Sequence, residues 1–101
     1  MKALLIIAHG SRKQSSTDEI AQLASSVAGL ESDFGLVSHA FLELATPKVG
    51  FAVQELIDNG AEQVVILPYF LAAGFHVAND LPKLLTQAQE QHPTISFTLL
   101  Q

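Results

Sequence analysis

Two histidines and one glutamate each stand just past an apolar run. His9 follows residues 3–8 (ALLIIA), Glu43 follows residues 36–42 (LVSHAFL), and His76 lies in the loop after residues 64–67 (VVIL). Two imidazoles and one carboxylate make a borderline donor set, suited to Co(II), Ni(II), Fe(II) or Zn(II). Three protein donors leave coordination positions open, which suits an ion that is bound and released more than a closed structural site. The spacing is too long for a local metal motif, so these residues meet only if the fold brings them together. A single loop histidine is ordinarily solvated or capping, and a glutamate after a strand is ordinarily a solvent-facing charge. Three of them at one edge of a sheet point to function, because loops there commonly carry it.

The surrounding elements supply that edge. Residues 3–8 read as a strand buried on both faces, since a parallel sheet covered on both sides favours continuous apolar runs. Ser15, Ser16 or Thr17 is placed to cap the helix that follows, with Asp18 and Glu19 near its positive end. Its apolar stripe is Ile20, Leu23, Ala24, Val27 and Leu30, with the exit at Gly29 or Gly35. Residues 36–42 form a second strand. The turn through Thr46-Pro47 then leads into a helix with Val49, Ala52, Val53, Leu56 and Ile57 on one face, stopped by Asn59-Gly60. Residues 64–67 form a third strand, ended by Pro68. A last helix begins near Asn79-Asp80 with Pro82 in its first turn, and carries Leu81, Leu84, Leu85 and Ala88. Residues 95–100 alternate as a fourth strand.

The order βαβαβαβ predicts an α/β fold: a three-layer arrangement with right-handed crossovers around a four-stranded, mostly parallel sheet. Its flavodoxin-like strand order is expected to be 2-1-3-4. Residues 1–101 read as a single domain. It ends on a strand, where this architecture would add one more helix.

Composition narrows the partners. The chain has 101 residues, 49% hydrophobic and 15% charged, which suits one globular domain. A net charge of −5 argues against a nucleic-acid partner, which calls for a basic face. No apolar run reaches the ~20 residues that span a bilayer. The N-terminus lacks a signal-peptide pattern, so the expected location is the cytoplasm. The absence of cysteine excludes disulfides and thiolate metal sites.

Other motifs are weaker. Gly10-Ser11-Arg12 could cradle an anion, with backbone N–H groups at a helix start and Arg12 as counter-charge. It is not a Walker A loop, and no G-x-G-x-x-G occurs. A hydrolase built on Ser11 is disfavoured, because G-x-S-x-G is absent and no orienting acid is evident. Asp80 caps its helix or hydrogen-bonds a ligating histidine. Phe70, Leu71 and Phe75 are core or the wall of a pocket. His39 and His92 read as structural or surface residues.

Together these stretches resemble the small CbiX-type class II chelatases, the sirohydrochlorin cobaltochelatase and ferrochelatase family. The resemblance rests on residues 6–12 (IIAHGSR), 41–47 (FLELATP) and 68–82 (PYFLAAGFHVANDLP), and the last is the most specific. It implies ATP-independent insertion of Co2+ or Fe2+ into sirohydrochlorin, in cobalamin or siroheme biosynthesis. No cofactor is implied beyond the substrate metal (Co2+, Fe2+ or Ni2+). His9 and His76 would hold the metal and act on the pyrrole protons, with Glu43 assisting. Gly10, Ser11, Arg12 and Phe75 would bind substrate. The family also implies a homodimer enclosing the macrocycle, with no membrane or nucleic acid involved. Lys48 departs from the pattern, which has a small residue after the proline, and the chain stops at Gln101 where the family continues into a helix. A non-catalytic metal or tetrapyrrole carrier of the same fold is the alternative.

Overall fold

A computed structural model describes residues 1–29, 33–69 and 75–100, with the backbone only for 75–80. Strand β1 (Lys2–Ala8) leads into α1 (Gln14–Ala28), then β2 (Leu36–Phe41), α2 (Val49–Asp58), β3 (Gln63–Pro68), α3 (Phe75–Gln91) and β4 (Ser96–Leu99). All pairings are parallel, as the βαβαβαβ pattern predicts, and the sheet order β2-β1-β3-β4 is the flavodoxin-like one expected. Every strand therefore ends at the same edge, and the loops that follow β1 and β2 are neighbours there. Among the described residues, no helix is long and apolar enough to cross a membrane.

The continuous apolar character of β1 follows from its central place. Ala3, Leu5 and Ile7 face one side, packed with Ala52, Val53 and Leu56 of α2 and Leu81 of α3. Leu4 and Ile6 face the other, packed with Val65 and with Ala24 of α1. Leu5, Ile6 and Ile7 are all fully buried, and each such side chain contributes roughly 1.5–3 kcal/mol by leaving water. The sheet is thus anchored on the strand that delivers His9.

Two helix starts differ from expectation. Helix α1 begins at Gln14 with Lys13 as its N-cap, so Ser15, Ser16 and Thr17 lie inside it. The reason is local: Lys13 donates its N–H to the Ser11 hydroxyl (3.1 Å), and its carbonyl accepts from the N–H groups of Ser16 and Thr17. The turn is closed before the expected caps are reached. Asp18 consequently sits beyond the first turn, where Gln14 donates to its carboxylate at 2.9 Å.

Helix α3 begins at Phe75, not near Asn79-Asp80, and Pro82 lies in its interior. Proline there forgoes one backbone bond, a cost the helix bears within its length. Asp80 is therefore not an N-cap. Phe70 and Leu71 lie outside the described residues, as do the side chains of Phe75, His76 and Asp80. Helix α2 starts at Val49 and ends as expected, with Gly60 at φ +103 just past its C-cap.

His39 of β2 meets the Phe41 ring edge-on, with centroids 5.7 Å apart. Burial lowers its pKa from the ordinary 6.5, because the charged form is poorly solvated there. The unfolded chain then takes up the proton more readily than the folded one. The resulting stability is complete above pH 6.5 and is lost as pH falls from 6.5 through the lower folded value. Urea unfolding at a series of pH values should show this decline in the wild type and a flatter profile in His39→Phe. Equal slopes in the two proteins would count against it.

Candidate metal and proton-transfer site

The pairing of β1 with β2 continues beyond the strands. Leu42 donates its N–H to the Ala8 carbonyl at 3.0 Å, and Glu43 donates to the His9 carbonyl at 3.0 Å. These bonds carry the register Ala8↔Phe41 outward to the two chemistry-bearing residues. At that position His9 Nε2 lies 2.8 Å from Glu43 Oε1. Residues 34 positions apart in sequence thus form one contact at the C-terminal edge of the sheet.

Both side chains are substantially exposed, at 43% for His9 and 57% for Glu43. A pair so open to water contributes little to stability, about 0–1 kcal/mol. Its chemical value is greater than its structural value. The carboxylate on Nε2 orients the ring, and a cation taking that nitrogen would displace the hydrogen bond while keeping the carboxylate within reach. The same two atoms are close enough to share a proton or to hold a cation between them.

Gly10 makes this approach possible. It turns the chain at φ +110, and a Cβ placed there would stand 1.6 Å from the Glu43 carbonyl oxygen. The expected anion cradle is therefore read differently at two of its members. Gly10 is where the β1 and β2 loops cross, and the Ser11 hydroxyl is engaged by the Lys13 N–H. Arg12 and Lys13 remain exposed on the connection into α1, and Lys48 is exposed at the N-cap of α2. Three of the five Lys and Arg residues thus flank this edge of an acidic chain.

His76 belongs to the first turn of α3, not to a loop, and its side chain is outside the description. Among the described residues, no group of three His, Cys, Asp or Glu comes together. What the structure brings together from the expected set is the His9–Glu43 pair. Sequence reasoning missed the crossing of Gly10 with Glu43, and also Leu44, which occupies the left-handed region at φ +67. A histidine-glycine pair after a strand hinted at the first. Nothing in the residue types hinted at the second.

The CbiX family model matches residues 3–101. A sirohydrochlorin cobaltochelatase from Methanocaldococcus jannaschii is 34% identical over 92 residues, covering 91% of this chain and 64% of the relative's length. Among solved structures, a cobalamin (vitamin B12) biosynthesis CbiX protein from Marinobacter aquaeolei VT8 superposes with a TM-score of 0.81 at 27% identity. That match covers all of this chain (100%) and 81% of the other. The sirohydrochlorin chelatase SirB from Bacillus subtilis subspecies spizizenii, crystallised with cobalt, shares the fold with a TM-score of 0.82 at 24% identity. It matches 97% of this chain and 42% of its own.

The crossing has a direct consequence. Gly10→Ala adds a methyl group into the Glu43 carbonyl and forces the two loops apart. The variant should lose about 2 kcal/mol of unfolding free energy, a typical cost of a side chain in a left-handed, crowded position. Denaturant unfolding measures it, and wild-type stability in the variant would show that the loops are free to separate.

Proposed function

The chain belongs to the CbiX family, and from that premise we propose that it inserts a divalent metal, Co2+ or Fe2+, into sirohydrochlorin without ATP. The observation that carries this reading is the 2.8 Å contact of His9 with Glu43 at the sheet edge where α/β folds place their ligands. The relatives' activity, the same edge and the donor chemistry support it together.

Metallation exchanges two pyrrole N–H protons for one dication. The site must therefore hold a metal loosely and accept protons nearby. Neutral imidazole does both near pH 7. In this account His9 and His76 hold the incoming metal and receive the pyrrole protons. Glu43 orients the His9 ring and offers a carboxylate to the cation. To bind the metal at Nε2, His9 would carry its ring proton on Nδ1 and give up the Nε2 contact with Glu43; once the metal passes to the macrocycle, the freed Nε2 lone pair would take one pyrrole proton. No cofactor is required besides the substrate metal.

Sirohydrochlorin carries many carboxylates, which an acidic protein repels overall. Arg12, Lys13 and Lys48 at the site edge offset that repulsion locally. The single lobe is proposed to work as a homodimer in the cytoplasm, with the macrocycle between two copies. The product would serve cobalamin or siroheme biosynthesis.

Anaerobic metallation of sirohydrochlorin, followed by absorbance with Co2+ and then Fe2+, tests the reading. The wild type should turn over repeatedly, and His9→Ala should lower the rate by about 10²-fold or more. One product per site, with the pigment retained, would identify a carrier instead. Replacing Arg12 and Lys13 together by alanine should raise KM several-fold at low salt and progressively less at high salt. A KM equal to wild type at low salt would remove these two side chains from substrate attraction.

A further inference from the structure

Leu44 is the residue immediately after Glu43, and it holds φ at +67. For an L residue with a side chain this conformation costs roughly 1–2 kcal/mol, whereas glycine adopts it freely and asparagine more easily than most. Packing does not repay that cost fully, because Leu44 is 48% exposed. The backbone on its N-terminal side is fixed, since the Glu43 N–H is bonded to the His9 carbonyl. On the other side the Pro47 carbonyl accepts the Phe41 N–H at 2.9 Å, which closes the turn. The turn thus imposes a left-handed residue, and a large apolar side chain occupies the place where a small or polar residue would fit better. Such outliers point to function when they stand at a site.

Its position suggests the use. Tyr69, 41% exposed, follows β3 with its N–H bonded to the Ile7 carbonyl at 2.8 Å. In the sheet order β2-β1-β3, Leu44 and Tyr69 follow the strands on either side of β1, which delivers His9. The edge therefore runs apolar, then imidazole–carboxylate, then apolar, with exposed cations around it. That sequence of chemistries fits a flat apolar ring with an acidic periphery.

We propose that Leu44 is a substrate-contact residue, its side chain lying against the face of the tetrapyrrole ring beside Glu43. The assignment rests on the metallation reading and adds a binding residue to it. The backbone bonds of the turn hold Leu44 in this conformation. Replacement by glycine or asparagine relieves the backbone and removes the contact, so stability and affinity should move in opposite directions.

The test is equilibrium binding of metal-free sirohydrochlorin, followed by pigment absorbance, to wild type, Leu44→Gly, Leu44→Asn and Leu44→Met, with thermal unfolding of each. Glycine and asparagine should raise Kd by roughly fivefold or more and leave the melting temperature unchanged or higher. Methionine, which restores apolar contact, should bind within about twofold of wild type. Unchanged Kd in both Leu44→Gly and Leu44→Asn overturns the assignment. So does a fall in melting temperature in both, because the side chain would then be serving the fold. Failure of the wild type itself to bind the pigment would overturn the metallation reading, and this assignment with it.

Discussion

The backbone bond from the Glu43 N–H to the His9 carbonyl is the constraint on which the site depends. It extends the β1–β2 ladder past the ends of both strands, so the placement of two exposed side chains is fixed by the most buried part of the fold. Side chains on open loops would otherwise sample many positions, each ordering step opposed by conformational entropy. Here the ordering is done by the sheet. The glycine at position 10 is what lets the two loops cross so closely, and the left-handed turn at Leu44 follows directly after the crossing.

Much of this arrangement was legible in the sequence. Continuous apolar runs at residues 3–8 and 64–67 identified strands covered on both faces, and their alternation with helical stripes pointed to a parallel sheet; its order, 2-1-3-4, came from likeness to flavodoxin-like folds and not from periodicity. Once the strands are parallel, His9 and Glu43 must come to one edge. Less legible were the helix starts, because capping signals are short and several compete. Ser15 and Thr17 resemble caps, yet Ser11 closes the turn first. Asn79-Asp80 and Pro82 resemble a helix start, yet α3 begins at Phe75 and accommodates the proline. His76 joined the expected set by its position after the third strand and by the family pattern of residues 68–82, and the helix that now contains it was not legible there. Leu44 was illegible for another reason: leucine is among the residues least expected at positive φ, and tertiary structure imposes it there.

Charge distribution adds a second layer. The chain is acidic overall, but its cations at positions 12, 13 and 48 gather on the loops and helix starts of the site edge. Fold and field thus favour the same face. The proposed polyanionic, flat substrate would meet positive charge and exposed apolar side chains beside the His9–Glu43 pair at this edge.

Anomalous diffraction at the cobalt edge, from crystals of the protein soaked with Co2+, tests the His9 site most directly. A peak is expected within about 2.1 Å of His9 Nε2, the usual metal–imidazole distance. Glu43 should be in reach of the same ion. A cobalt peak bound elsewhere, with the His9–Glu43 contact intact at 2.8 Å, would contradict a metal site at His9.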